Sequence, residues 1–129
     1  MSQETVNVRY MVDDVEAAVA WYTQHFGFSL LSSRAPAFAD VQRGPLRLLL
    51  SGPVSSAGRL MRDGVQPGPG GWNRIHFIVE DLLMEVERLG AAGVQFRNDI
   101  VKGPGGSQIL ALDPSGNLVE LFEPARRWP

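Results

Sequence analysis

Residues 8–15 read VRYMVDDV, and residues 75–82, sixty-seven positions later, read IHFIVEDL. Each apolar residue of the first segment has an apolar counterpart in the second, and each segment carries an acidic pair before its last residue. A solenoid needs three or more repeats. Because this segment occurs only twice, the sequence predicts a duplicated supersecondary module whose two first strands line one site from two sides.

Both copies continue into an amphipathic helix. An acidic residue at the end of each segment is a suitable N-cap, and Gly27 and Gly93 are suitable residues for ending the helices. The apolar faces consist of Val15, Val19, Tyr22 and Phe26 in the first helix and of Leu82, Val86 and Leu89 in the second. Their spacing is that of one face of an α-helix.

Short strands follow each helix. Alternation and β-forming residues predict strands over 6–12, 28–33, 38–43 and 46–51 in the first half, and over 75–79, 94–96, 107–112 and 118–122 in the second. Each half is therefore β-α-β-β-β. We predict one α+β domain of two tandem modules, about 5–52 and 73–124, joined by a linker over 53–72. Together they would form a curved, mostly antiparallel eight-stranded sheet around a concave cleft.

Composition narrows the function classes. The 129 residues carry a net charge of -2, which predicts no general attraction to nucleic acid or to anionic membranes. There are no cysteines, so disulfides and thiolate chemistry are excluded. No apolar run has the length of a membrane span, and the first residues do not read as a signal peptide. We expect a cytoplasmic protein whose partner is a small organic molecule.

The duplicated β-α-β-β-β pattern resembles the vicinal-oxygen-chelate superfamily, which includes glyoxalase I, extradiol dioxygenases and bleomycin-resistance proteins. The resemblance rests on residues 12–15, on Trp21 and Tyr22, on residues 26–28, and on the closing segment DPSGNLVEL at residues 113–121. It covers about residues 5–124. It implies the fold and a homodimer, but not the reaction, because one fold hosts both enzymes and pure binding proteins.

In metal-using members of that superfamily, ligands lie on the first and last strands of each module. The resemblance places these positions at Asn7, Arg74 and Glu120, and at Leu48 when Gly44 is aligned with Gly116. A first-row metal needs three or four nitrogen, oxygen or sulfur ligands, whereas an arginine stays protonated and repels a cation. We therefore expect no bound metal and no cofactor.

Strand alternation indicates which other side chains accompany these positions. The candidate ligand-binding residues are Asn7, Arg9, Met11, Trp72, Arg74, His76 and Glu120. Arg74 and Glu120 should meet, either as an anchor for an anionic ligand with Glu120 as a general base or as a structural ion pair. His76 is either an acid or base or a hydrogen-bonded residue without chemistry. Trp72 either stacks on a flat ligand or fills the seam between the modules.

Three functions remain open. The first is a metal-independent binder of the bleomycin-resistance type, which holds an organic ligand in the cleft between the modules. The second is a lyase, isomerase or dioxygenase of the same superfamily, with an atypical metal site or with Glu120 and His76 as a metal-free acid/base pair. The third is an interaction module whose cleft is vestigial.

Overall fold

The computed structural model describes residues 4–125, and the chain divides into two compact units, Met1–Gly70 and Gly71–Pro129. The elements of the first unit are β1 (Val6–Met11), α1 (Val15–His25), β2 (Ser29–Arg34), β3 (Phe38–Arg43), β4 (Leu46–Ser51) and a short 3-10 helix (Ser56–Gly58). Its sheet has the order β1-β4-β3-β2, in which β1 runs parallel to β4 and the other neighbours are antiparallel.

Local sequence signals determine helix α1. The side chain of Asp14 accepts a hydrogen bond from the backbone N–H of Ala17 at 3.1 Å and so caps the first turn. Gly27 follows the helix with a φ of 69°, in the left-handed region that glycine adopts at low cost. Tyr22 is fully buried, as are Leu48 and Leu50 of β4. The helix therefore packs on the face of the sheet that carries Leu48 and Leu50.

The second unit repeats this plan. Its elements are β5 (Ile75–Ile78), α2 (Leu82–Ala91), β6 (Gln95–Phe96), β7 (Val101–Gly103), β8 (Gly106–Leu112) and β9 (Leu118–Pro124). The sheet order is β5-β9-β8-β6, with β7 also paired to β8, and β5 runs parallel to β9. Asp81 caps α2 by accepting from the N–H of Met84 at 3.0 Å. Within the described residues, no helix is long and apolar enough to cross a membrane.

The α+β fold and the mostly antiparallel pairing are confirmed. The strand count differs from the prediction, because residues 4–125 form nine strands in a four-stranded and a five-stranded sheet rather than eight in one. The additional strand is β7. The side chain of Asn98 accepts a hydrogen bond from the backbone N–H of Leu110 at 3.0 Å. In a continuous strand pair, a backbone carbonyl would accept this bond. The chain then leaves the edge of β8 and rejoins it at Val101.

The two faces of each sheet are chemically different. In the first unit, Tyr10 of β1 contacts the ring of Tyr22 on the helix, so Asn7, Arg9 and Met11 lie on the opposite face, because strand residues alternate. In the second unit, the N–H of Leu82 at the start of α2 donates to Oε1 of Glu123 on β9, so Val119 and Leu121, which alternate with Glu120 as Glu123 does, lie on the face covered by α2. The face away from each helix is called the open face below, and it carries the candidate residues.

Candidate functional site

Glu120 lies in the middle of the second sheet. Its strand, β9, is flanked by β5 and β8, and Glu120 is opposite His76 on one side and Leu110 on the other. The residue is only 6% exposed. A carboxylate that is this buried needs hydrogen-bonding or charged partners, because losing its hydration is costly.

Arg74 supplies the main partner. Its Nε donates to Oε1 of Glu120 at 2.9 Å, and its Nη2 lies 2.8 Å from the same oxygen. Its Nη1 donates to the backbone carbonyl of Trp72 at 3.1 Å. The Arg74 side chain is 28% exposed and that of Glu120 is 8% exposed. The ion pair expected from the sequence is therefore present, buried on the carboxylate side and accessible on the guanidinium side.

His76 contacts the other oxygen of the same carboxylate. Its Nε2 lies 3.4 Å from Oε2 of Glu120, slightly longer than a strong hydrogen bond. Its ring lies 5.0 Å from that of Phe122, centroid to centroid, and its side chain is 39% exposed. Glu120 thus bridges a guanidinium and an imidazole, and both of these groups keep an accessible side.

Arg74 retains hydrogen-bonding capacity. An arginine has five N–H groups, and contacts within the described residues use one each on Nε, Nη1 and Nη2. One donor is left on each terminal nitrogen. Two donors on a planar cation match the oxygens of a carboxylate or phosphate, so the exposed side of this guanidinium is suited to an anion.

The second unit does not fit a divalent metal. Oε1 of Glu120 receives two contacts from Arg74, and that guanidinium lies where a cation would have to approach the carboxylate. Within residues 4–125 there is no group of three or more His, Cys, Asp or Glu residues placed to hold a metal ion. The donor set therefore contains one carboxylate and one imidazole beside a permanent positive charge, fewer ligands than a first-row metal requires.

The structure corrects one position of the predicted ligand set. Val8 is opposite Leu48 in the first unit, whereas Ile75, the counterpart of Val8, is opposite Val119 in the second. The counterpart of Glu120 is therefore Leu49, and Leu48 is fully buried on the helix side. The glycine alignment failed because the two hairpins differ: Arg43 pairs directly with Leu46, but a longer turn connects Leu112 to Leu118.

The open face of the first sheet carries an ion pair that the sequence analysis missed. Asp40 is 2% exposed, and its Oδ2 accepts from Nε of Arg47 at 2.7 Å. Burial raises the pKa of Asp40, but hydrogen bonds from Ser32 and Arg47 and the charge of Arg47 outweigh it, so the pKa is lowered overall. An aspartate between the apolar residues Ala39 and Val41 of the predicted strand 38–43 was the signal available in the sequence.

The seven candidate residues fall into two groups. Trp72, Arg74, His76 and Glu120 are brought together in the second unit by the contacts described above. Asn7, Arg9 and Met11 share the open face of the first sheet, where Nη1 of Arg9 donates to Oγ of Ser51 at 3.2 Å. Arg97 was not among the candidates, although its guanidinium carbon lies 5.3 Å from the centre of the Trp72 ring.

Comparison with known proteins identifies the family. The model of the glyoxalase/bleomycin resistance protein/dioxygenase superfamily matches residues 5–121. The chain belongs to this superfamily, and the resemblance stated from the sequence is confirmed. In a comparison of sequences, the chain matches none of the curated proteins.

Solved structures agree on the fold. Lactoylglutathione lyase from Agrobacterium tumefaciens is 23% identical with a TM-score of 0.74, and the match covers 95% of this chain and 94% of that one. TnmS3, an antibiotic binding protein from Streptomyces sp. CB03234, is 22% identical with a TM-score of 0.72, over 96% and 98% of the two chains. A glyoxalase/bleomycin resistance protein/dioxygenase from Nocardioides is 26% identical with a TM-score of 0.71, over 98% and 87%.

Proposed function

We propose that this protein is a metal-independent binder of a small organic ligand that carries an acidic group. The carrying observation is the Arg74 guanidinium, which Glu120 holds through Nε and Nη2 while both terminal nitrogens keep a donor. Glu120 acts as a positioning residue, since it fixes the plane of the guanidinium before a ligand arrives. A preorganised donor pair loses less entropy on binding than a flexible lysine or an unpaired arginine.

Other residues have supporting roles in this proposal. His76 contributes an imidazole beside the anion, and Trp72 provides an exposed apolar surface. Asn7, Arg9 and Met11 are proposed as further ligand contacts. That the two modules act as one domain with the ligand in a cleft between them remains a prediction. The homodimer and the cytoplasmic location also remain predictions. The absence of cysteine in the sequence favours the cytoplasmic location.

The superfamily supports both binding and catalysis. TnmS3 is described as an antibiotic binding protein, whereas the Agrobacterium tumefaciens relative is a lactoylglutathione lyase. At 22–23% identity these structures share the fold with this chain, and a shared fold does not transfer function. The choice of a binder therefore rests on Arg74, which fills the position where metal-using members are expected to place a ligand.

A thermal-shift screen tests the proposal. The native protein is heated with aromatic antibiotics and with acidic metabolites, each compared with a neutral ester or amide of the same compound. A ligand at about 100 times its Kd adds about 2.7 kcal/mol of stability, so a true ligand raises Tm clearly. We expect an acid to be found and its neutral analogue to be weaker.

Variants of two arginines make the screen specific. Arg74→Ala should lower the affinity for the acid at least tenfold and should change the affinity for the neutral analogue little. Arg88→Ala is the matched control, because Arg88 forms an exposed ion pair with Glu85 on α2, away from the open face. Equal binding of the acid by native protein and Arg74→Ala, or no ligand in the whole screen, would contradict the proposal.

A second candidate function is metal-free proton transfer. The observation that favours it is the 3.4 Å approach of His76 Nε2 to Oε2 of Glu120, because a carboxylate that orients an imidazole is a common arrangement for a general base. Incubation of the bound acid in D2O tests it by NMR. Exchange of a carbon-bound proton that disappears in His76→Gln, with binding retained, would establish catalysis. Absence of exchange in the native protein would exclude this proton transfer.

A further inference from the structure

A cavity lies next to Arg74 in the second unit. Its volume is about 310 Å³, and it is lined by Gly71, Trp72, Arg97, Leu112, Gly116 and Leu118. Known ligand pockets span about 300–1,000 Å³, so this one has room for a ring system rather than for a whole large ligand. Trp72 connects this cavity to the proposed anion site, because its side chain is part of the lining and its backbone carbonyl accepts a hydrogen bond from Arg74.

The lining combines apolar and cationic surfaces. Leu112 and Leu118 are paired across β8 and β9, and Leu118 shares the open face with Glu120 because it lies two positions before it. Trp72 is 63% exposed, unusual for the largest apolar side chain. An exposed indole beside two leucines gives a flat ligand an apolar surface to contact.

Arg97 limits the freedom of the indole. Its guanidinium carbon lies 5.3 Å from the centroid of the Trp72 ring, within the distance of a cation–π interaction. Contact with a cation orients the ring before any ligand arrives. The lining also contains two glycines, and Gly116 has a φ of 84°, so a side chain that would narrow the cavity is disfavoured at that position.

We infer that this cavity binds a flat aromatic ring of the ligand whose acidic group is held by Arg74. The inference rests on the proposed function and specifies it further. The ligand class becomes an aromatic acid, with the ring against Trp72 and with Arg97 able to meet a second electron-rich or acidic substituent. Neither Arg97 nor the two leucines were candidates from the sequence.

Three small probes separate the ring from the charge. The first is 2-naphthoate, the second is 2-naphthylmethanol, which has the same ring without the charge, and the third is cyclohexanecarboxylate, which has the charge without the aromatic ring. Each is titrated into uniformly 15N-labelled full-length protein. The indole N–H resonance of Trp72, assigned by its loss in Trp72→Phe, reports binding at the cavity in the native protein, and backbone amide resonances give the affinity in the variants that lack this indole.

We expect 2-naphthoate to bind at least tenfold more tightly than cyclohexanecarboxylate and to shift the Trp72 resonance. Trp72→Ala should remove most of that difference, and Trp72→Phe should retain much of it because the phenyl ring still stacks. Because Trp72 is exposed, these variants should fold. Arg74→Ala should weaken both acids by similar factors and leave 2-naphthylmethanol unchanged.

The outcomes distinguish the two proposals. If the acids bind equally to native protein, or if Trp72→Ala weakens both equally, the aromatic cavity is wrong while the anion site stands. If 2-naphthylmethanol shifts the Trp72 resonance but Arg74→Ala leaves the affinity for both acids unchanged, the aromatic cavity is supported and the proposed function is wrong. If no probe shifts the Trp72 resonance, the inference is wrong, and the wider thermal screen decides the proposed function.

Discussion

Removing the Arg74 side chain should destabilise the fold measurably even without ligand. Arg74→Ala leaves the carboxylate of Glu120, whose side chain is 8% exposed, without its two guanidinium contacts. An isolated buried charge costs about 3–5 kcal/mol when its partner is removed. Water can enter on the side of Arg74, which is 28% exposed, and His76 remains nearby. We therefore expect a loss below that range, about 2 kcal/mol.

Equilibrium unfolding in urea at neutral pH measures this loss, and a double-mutant cycle assigns it. The single variants Arg74→Ala and Glu120→Ala and the double variant should give a coupling energy of about 1–2 kcal/mol. Arg88→Ala serves as the control, because its pair with Glu85 is 51% and 32% exposed and exposed helix pairs contribute only about 0.3–0.5 kcal/mol.

Stability should recover when both partners of the ion pair are replaced together. Replacing both partners with apolar residues, Arg74→Met with Glu120→Leu, should restore much of the stability, because a buried ion pair is often replaced by apolar residues without loss. A loss below about 0.5 kcal/mol for Arg74→Ala, with no coupling to Glu120, would refute the claim that the carboxylate depends on this guanidinium.

Further predictions concern the two sheets and their helices. The pKa of Asp40 is lowered in the folded protein. Ionised Asp40 therefore stabilises the fold at pH values above the pKa of an unfolded aspartate, about 3.9. This stabilisation is lost as the pH falls through the lower pKa of the folded state. Asp40→Asn should accordingly flatten the fall in unfolding free energy below about pH 4. Leu89→Ala should lower the free energy of unfolding in urea by about 3 kcal/mol, because Leu89 is fully buried. Leu83 lies on the same helix and is 60% exposed, so Leu83→Ala should change that free energy by less than about 0.5 kcal/mol. Asp113→Ala should lower Tm through a loss of about 2–3 kcal/mol, since its carboxylate accepts the backbone N–H of Asn117 at 2.8 Å; an unchanged Tm would show that this turn forms without it.

Features that depend on neighbouring residues, and one contact between distant strands, were predictable from the sequence. The caps at Asp14 and Asp81 follow from the preference of an acidic side chain for free N–H groups, and both are observed. The strands over 38–43 and 46–51 match β3 and β4, because turn residues bound them on each side. The meeting of Arg74 and Glu120 followed from the family resemblance and from strand alternation.

Other features that depend on strand pairing were not predictable. Leu48 was wrongly assigned as the counterpart of Glu120 in place of Leu49 because the two hairpin turns differ in length. A difference of one residue in the alignment moves a side chain to the other face of the strand. The contact between Asp40 and Arg47 requires β3 and β4 to pair in one particular register, and Arg97 reaches Trp72 only when β6 lies beside β8. Neither distance is encoded in a local pattern.

Binding of an organic acid in the presence of a chelator tests the central claim most directly. The tightest acid from the thermal screen is titrated by calorimetry into protein prepared without chelator, into the same protein after EDTA treatment and into Arg74→Ala, with the metal content measured for each. We expect the same affinity before and after EDTA treatment and an affinity at least tenfold lower in Arg74→Ala. Stoichiometric Zn, Ni, Mn or Fe coordinated at Glu120, with binding that EDTA abolishes and the metal restores, would contradict it.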